Sequence, residues 1–584
     1  MTGVVSNYDK FPAIAAREFA NECVRGWDNI CNSLNEFSVG KRIIALECYV
    51  GLHDHEIIAR LRAGLKGMIY LTADCMLDEG AIEKMVYPDV TGDELYGYIT
   101  RLQLSDFFDP KKLSLNIVAL KNISDGPVFI YGPGATIVAE NYDGLVYFDM
   151  PRWEGQLRYR RNEVSNLGVN NSHVKASLQY KQAFYVDWRV CDRHKKTQIN
   201  KWDYVVDTAK TADPKMASGR AVRSALRQTL SQPFRLVPFF DPGPWGGQWM
   251  KTYCDLDPAV VNYAWCFDCV PEENSLLINF LGIIFEVPSI NIVFAHGKEL
   301  LGDAVQARFG DEFPIRFDFL DTVEGGNLSL QVHPTNEYIR EHFGMSYTQD
   351  ESYYILDAKP GASVYLGLKE NIDRKKMIAA LQEAEDTGGL FDAEKFIATF
   401  PAKKHDHFLI PAGTVHCSGK DSMVLEISAT PYMFTFKLYD WGRMGLDGKP
   451  RPINIKRGEE VTDWSRTEGV VKKELINQFT TVAAGEGWTE ERTGLHETEF
   501  IETRRHWFTG KVHHFTNGSV NVLNLVEGTE VIVESPGGMF EPYVVHYAET
   551  FIVPANITEY TIRPFGNSTG KACGTMKAFI RFRA

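Results

Sequence analysis

NLSLQVHPTNEYIREHFGMSYTQDESYYIL, residues 327–356, starts as a buried strand and then breaks its own pattern. The apolar Leu328 and Leu330 alternate as a half-buried strand requires, and Gln331 and His333 follow, two apart. Alternate residues of a strand point to one face, so this amide and this imidazole are presented together. Eighteen residues after His333, ESYYIL opens another strand with Glu351. Further on, PAGTVHCSG places His416 just after a tight turn, where a strand enters a sheet. Two imidazoles, a carboxylate and an amide oxygen on neighbouring strands form a mixed nitrogen and oxygen set that suits Zn2+. Such a set leaves room for water or a substrate oxygen. A lone buried histidine is more often a hydrogen-bonded core residue; the four residues in this order are what point to a metal.

The surroundings read as β-rolls. From Arg235 to the end, short alternating strands and Gly/Pro turns dominate, the pattern of sandwiches and jelly rolls. A helical insertion is expected at 371–400. Near the end, AETFIVPANITEYTIRP echoes HDHFLIPAGTVHCSG (405–419), so two related rolls are expected. The echo lacks a ligand: Glu559 or Tyr560 stands where the first copy has His416, and only one roll is expected to carry a metal.

Composition narrows the function. At 584 residues the chain is too long for one core. With 44% hydrophobic and 24% charged residues it reads as an ordinary globular protein, and a net charge of -14 argues against nucleic acid as partner. The N-terminus carries no pattern of a signal peptide. The longest apolar stretch, LLINFLGIIFEVPSINIVF, is broken by Asn279, Glu286, Pro288 and Asn291 and reads as two core strands, not a membrane span. Ten cysteines without a disulfide-like rhythm favour a reducing cytoplasm. Cys266 and Cys269 form an isolated CxxC with no second pair or nearby histidine, which reads as structural.

The first 225 residues alternate strand-like and helix-like segments, an α/β domain. RIIALECYV (42–50) is a buried strand followed by the helical HEIIARLRAGL; PVFIYG (127–132) and GLVYFDM (144–150) follow. With Arg152, Arg158, Arg160 and Arg161 after the last of these, the segment weakly resembles the core and lid of P-loop kinases. The phosphate-cradling GxxxxGK[ST] is missing: GLHDHEI follows the strand, and YGPGA (131–135) has no lysine. The arginines are expected on a solvated face or a domain interface, and tight ATP binding is not expected. Residues 205–232 read as a joint.

Further stretches carry a family resemblance: PGPWGGQWM (242–250), GKELLGDAVQARFGDEFP (297–314), LSLQVHP (328–334), DESYYILDA (350–358), IPAGTVHCSG (410–419), VLEI (424–427) and YDWGR followed by GLDGKPRPINI (445–455). In this order they resemble the class I mannose-6-phosphate isomerases, the zinc-dependent cupin type, over roughly residues 235–584. The resemblance implies a double cupin: a catalytic cupin over 226–480 and a C-terminal cupin over 481–584. It implies zinc held by Gln331, His333, Glu351 and His416, and a sugar phosphate as substrate. Glu426 in VLEI is a candidate base, with a structural salt bridge as the alternative.

Three departures fall on positive charge. Lys437 stands where the family has an active-site arginine, and Asp318 and Gln349 stand where it has lysines. Losing both lysines weakens the case for a phosphorylated substrate. Arg451 and Lys449, with Arg316, are the cations that could replace them. Three readings follow: a mannose-6-phosphate isomerase with a rearranged phosphate site, an isomerase of another sugar, or a non-catalytic carbohydrate-binding cupin. The oligomeric state is left open.

Overall fold

In the computed structural model of the protein, which describes residues 6–121, 126–429, 434–445, 448, 450–494, 496 and 499–582, RIIALECYV becomes the strand Ile43–Cys48. Ile44, Ala45 and Leu46 are wholly buried, as a strand covered on both faces requires. It lies inside a seven-stranded sheet ordered Met68–Leu71, Val128–Gly132, Ile43–Cys48, Gly144–Asp149, Tyr204–Asp207, Lys215–Ser218, Cys23–Arg25. The first five run parallel, Lys215–Ser218 runs against them, and Cys23–Arg25 pairs antiparallel to Lys215–Ser218. Helices Trp27–Phe37 and Asp54–Gly64 cover it, burying Ile30, Leu34, Ile57 and Leu61 in one cluster with Leu46, Phe129 and Phe148.

Two expectations are corrected here. Residues 205–232 are no joint: Tyr204–Asp207 and Lys215–Ser218 are sheet strands, and helix Gly219–Thr229 buries Val222 and Leu226. Two of the arginines after Met150 lie on no solvated face. Arg158 is wholly buried, donating to Glu154 and to the carbonyls of Gly51 and Thr208, and Arg152 is buried against Asp192. Interior carbonyls and a carboxylate satisfy these guanidiniums, so burial is tolerable. The glycine turn of YGPGA is likewise occupied: the amides of Gly134 and Thr136 donate to the Glu47 carboxylate. A carboxylate of the chain itself takes the amides that a phosphate would need.

The chain divides into two compact units, one of residues 13–229 with 275–296, the other of 1–12, 230–274 and 297–584. A single cut near residue 225 does not describe this. The hairpin Ser275–Phe280 and Ile283–Pro288 belongs to the first unit because Ala13–Ala15 pairs with it in parallel. Trp153 Nε1 donates to Ser275 Oγ at 2.7 Å, and Asn291 Nδ2 to Asp149 at 2.9 Å.

The second unit holds two β-rolls. We number the strands of the first β1 (Arg316–Asp321), β2 (Leu330–Val332), β3 (Glu351–Ala358), β4 (Ser363–Leu368), β5 (Ile397–Pro401), β6 (His407–Ile410), β7 (His416–Ser418) and β8 (Ser422–Ser428). Those of the second are β9 (Ile501–Phe508), β10 (Val512–Phe515), β11 (Asn521–Glu527), β12 (Glu530–Glu534), β13 (Tyr543–His546), β14 (Thr550–Val553), β15 (Glu559–Pro564) and β16 (Cys573–Ile580). The first roll pairs β6-β3-β8-β1 and β5-β4-β7-β2; the second pairs β14-β11-β16-β9 and β13-β12-β15-β10. The order is the same with every number raised by eight. Flanking strands extend three of these sheets, among them Trp265–Cys269 beside β1 and Phe436–Tyr439 beside β2. Cys266 and Cys269 lie buried in the former. The core of the second roll joins both sheets through Phe508, Leu523, Val533, Phe551 and Ile562.

The insertion is shorter than expected. Within 371–400 the helix is Arg374–Thr387, opened by the Asp373 carboxylate and closed by Gly388 in the left-handed region; the end of the segment is β5. Among the described residues no helix is long and apolar enough to cross a membrane.

One ion pair joins the loop before β6 to the end of β11. Glu527 accepts from His405 Nε2 at 3.1 Å and from Lys404. The His405 hydrogen bond, opposed by burial and aided by Lys404, holds the carboxyl down at about 2 from an ordinary 4.5. The folded pKa is depressed, so the contribution is complete above about 4.5 and is lost as pH falls toward 2. The side chain is 36% exposed, and solvent screening limits the effect to about 1 kcal/mol or less. Glu527→Gln should lower the melting temperature at pH 7, and the variant and wild-type values should converge as pH is lowered from about 5 toward 3. A difference that persists unchanged at low pH would contradict this.

Candidate metal centre

The first roll's site grows from the pleat of β2. Leu330 and Val332 point to the core and are wholly buried. Gln331 and, just past the strand, His333 turn to the other face. Glu351 is the first residue of β3 and His416 the first of β7, so both come from strand beginnings, as expected. Gln331 and His416 are direct cross-strand partners. The turn ahead of His416 is pinned: Gly413 takes a positive φ of 84° and donates its amide to His333 O at 2.9 Å, and Asp350 accepts the Ala412 amide at 2.8 Å.

The four residues are brought together. His333 Nε2 lies 3.2 Å from Glu351 Oε2, and His416 Nε2 lies 2.8 Å from Glu351 Oε1. The Gln331 amide is 3.3 Å from His416 Nε2. One ligand atom each from His333, Glu351 and His416 falls within 4.8 Å of the others, and all three residues are buried. Among the described residues this is the one group of three or more such side chains that converges so.

Hydrogen bonding sets the imidazoles for coordination. The Nδ1 of His333 bonds the carbonyl of Phe434 at 2.9 Å, and the Nδ1 of His416 bonds that of Thr414 at 2.9 Å. A carbonyl only accepts, so each Nδ1 carries the proton. In a neutral ring this turns the Nε2 lone pair toward Glu351. His333 Nε2 and Glu351 Oε1 have no hydrogen-bond partner. The His333 Nε2 lone pair and the Glu351 carboxylate thus converge with no proton between them, the arrangement a cation resolves. The residues fit a metal.

Behind Glu351 lies a charge network that sequence reasoning had split into separate positions. Gln349 Nε2 donates to Glu351 at 2.9 Å and to Glu426 at 3.2 Å. Arg316 Nη2 reaches Glu426 at 3.2 Å and its Nε pairs with Asp318. Asp318 and Glu426 are cross-strand partners. Both departures read as lost lysines, Asp318 and Gln349, therefore face Glu426, with Arg316 as the buried cation. Burial lifts Asp318 to about 7 against Arg316, and burial, then Glu351, lifts Glu426 well above its usual range. Glu426 sits in the salt bridge that was its alternative reading.

One of the remaining candidates lies on the other sheet. Lys437, half-buried on Phe436–Tyr439, is the cross-strand partner of Gln331. Burial, then Arg451, pushes its ammonium down to about 8. Arg451 binds both oxygens of Asp440, which Arg443 also contacts. Lys449 lies outside the described residues. The Phe434 and Thr414 carbonyls were missed by sequence reasoning, because backbone acceptors leave no residue-type signal.

Residues 26–231 match a family model described as a domain of unknown function, DUF8485. The chain is 27% identical over 234 residues to a mannose-6-phosphate isomerase of Bacillus subtilis, covering 40% of this chain and 69% of that protein. It is 28% identical over 236 residues to one of Streptococcus mutans, covering 40% and 68%. The solved structure of the mannose 6-phosphate isomerase from Bacillus subtilis aligns with a TM-score of 0.49 at 19% identity, over 60% of this chain and 99% of that one. These relatives are the isomerases that the motifs resemble, and they match only part of the chain.

His333→Ala combined with His416→Ala should abolish zinc binding at this centre while far-UV circular dichroism stays unchanged, since a roll of this size has core enough to fold without metal. Gln331→Ala, which removes the amide beside His416, should weaken zinc affinity without abolishing it. Metal analysis after dialysis against zinc reads both; full occupancy in the double variant would place the metal elsewhere.

Proposed function

We propose that this chain is a zinc-dependent aldose–ketose isomerase interconverting mannose 6-phosphate and fructose 6-phosphate through a cis-enediol(ate). The observation that carries the reading is the convergence of His333 Nε2, His416 Nε2 and Glu351 in a chain whose matched relatives are mannose-6-phosphate isomerases. Zinc held by Gln331, His333, Glu351 and His416 would supply Lewis-acid polarisation of the sugar's carbonyl and hydroxyl oxygens.

The chain's own side chains supply the rest. Isomerisation moves a proton between C1 and C2, and a group within hydrogen-bond reach must carry it. Glu426 is the candidate: its carboxyl, raised by burial and tied to Arg316 and Gln349, is suited to hold a proton as well as to release one. Lys437, opposite Gln331, is placed to meet negative charge developing on a substrate oxygen. Arg451 is oriented by Asp440 through Nε and Nη2, leaving Nη1 for a phosphate oxygen. Lys449 is the second proposed phosphate contact. The catalytic roll is assigned to 226–480 and the second roll to 481–584, in a protein of the reducing cytoplasm acting on a small molecule.

One observation favours a second reading. Gln349 and Asp318 are committed to the buried network behind Glu351, so the two positions that are lysines in the family cannot meet a phosphate here. An isomerase of another, unphosphorylated sugar on the same metal chemistry is the alternative.

The test compares Arg451→Ala and Lys437→Ala, each assayed with zinc-loaded protein on mannose and on mannose 6-phosphate. Loss of a direct phosphate contact should reduce kcat/KM for the phosphorylated sugar by about 1.5–3 kcal/mol and leave the free sugar unaffected. Loss of Lys437 should lower kcat for either substrate. Turnover of free mannose alone would favour the second reading, and turnover of neither sugar by wild type would sink both.

A further inference from the structure

A cleft of about 520 Å³ opens in the first unit, between one face of three strands and a helix. Register fixes its wall. Tyr204 pairs with Ser218, and Met216 pairs with Val24 on the next strand. Met216 and Ser218 stand two apart, so these side chains share one face of the sheet. Helix Trp27–Phe37 lies over that face and closes the cleft with Ser33 and Phe37, one turn apart.

The apolar side chains here are only partly covered. Met216 is buried, but Val24, Phe37 and Tyr204 pack partly against the core and are half-buried. Phe37 and Tyr204 meet edge to face, with ring centroids 5.2 Å apart. A space of this size falls in the range of small-molecule sites, about 300–1,000 Å³. A third ring entering it would find both an apolar floor and aromatic edges and faces.

The lining also carries two opposite charges that do not pair with each other. Arg223 Nη1 donates to the Trp202 carbonyl at 2.8 Å, and its Nε and Nη2 have no hydrogen-bond partner among the described residues. Asp203 Oδ2 accepts the Leu145 amide at 2.8 Å, and its Oδ1 has no such partner among them. Burial lowers the Arg223 guanidinium and the Asp203 charge opposes this, so the two groups lie within electrostatic reach. The other charges of the lining are self-contained: Glu22 accepts from Arg220 Nε at 2.8 Å, from Arg220 Nη2 and from the Ser218 hydroxyl.

An ammonium and a carboxylate on one carbon need an acceptor and a donor fork that stand close without closing on each other. A ligand with a carboxylate alone would leave Asp203 unanswered, and one with an amine alone would leave Arg223 so. We propose that this cleft binds a free α-amino acid with an aromatic side chain. Its carboxylate meets Nε and Nη2 of Arg223, its ammonium meets Asp203, and its ring lies among Phe37, Tyr204 and Met216. The cleft is built wholly from residues 22–223, and the proposal stands or falls independently of the isomerase reading.

Phenylalanine, titrated into the full chain, should bind saturably by calorimetry and raise the melting temperature. 3-Phenylpropionate lacks the ammonium, phenethylamine the carboxylate and glycine the ring; each should bind at least about tenfold more weakly. Asp203→Asn keeps an acceptor for the Leu145 amide and should erase the preference for phenylalanine over 3-phenylpropionate. Arg223→Lys keeps the charge without the fork and should weaken phenylalanine by about tenfold. Ser33→Trp fills the cleft from the helix and should abolish binding with far-UV circular dichroism unchanged; if that chain does not fold, the Asp203→Asn comparison decides alone. The His333→Ala, His416→Ala double variant should bind phenylalanine as wild type does. No saturable binding of phenylalanine, equal affinity for 3-phenylpropionate, a preference that survives Asp203→Asn, or undiminished binding by a folded Ser33→Trp would each overturn the site.

Discussion

Two backbone carbonyls set the chemistry of the first roll. Phe434 and Thr414 each accept an Nδ1 proton, and so direct the Nε2 lone pairs of His333 and His416 at one buried carboxylate. Nothing about an imidazole by itself favours either tautomer strongly; the acceptor behind the ring decides it. The rest of the centre serves that arrangement. The turn at Gly413 is tied to His333 by its amide, and Asp350 anchors the residue before it, so the two histidines move as one piece.

The roll itself makes this possible. Two facing sheets bring β2 and β7 from one side against β3 from the other, and the inward face of each strand recurs every second residue. Because the second roll repeats the same strand order, the same inward positions recur there with other side chains. Glu351 is answered by Asn521, His416 by Tyr560, and the Asp318–Glu426 pair by Arg504 and Lys577. One architecture thus presents two interiors with different polar side chains. The fold supplies positions, and the residues at those positions determine the chemistry.

The N-terminal unit applies the same logic at its glycine turn. Glu47 occupies the amides of Gly134 and Thr136, and Arg158 donates to Glu154 and to the carbonyls of Gly51 and Thr208. An internal carboxylate and internal acceptors satisfy the groups that would otherwise seek an anion.

What the sequence determined on its own was local. Alternation placed Gln331 and His333 on one face, strand openings were legible at Glu351 and His416, and the apolar runs at Ile43–Cys48, Val128–Gly132 and Gly144–Asp149 marked the parallel core, since pleat and burial depend on immediate neighbours. Tertiary structure decided whatever depends on partners remote in the chain. It chose Tyr560 over Glu559 as the counterpart of His416, because Tyr560 is buried in the core of the roll while Glu559 is exposed. It joined Asp318, Gln349, Glu426 and Arg316 in one network, buried Arg152 and Arg158 while leaving Arg160 and Arg161 exposed, and gave the hairpin at 275–288 to the N-terminal unit. A residue's type states which bonds it can make; only the packed chain states which partner is within reach.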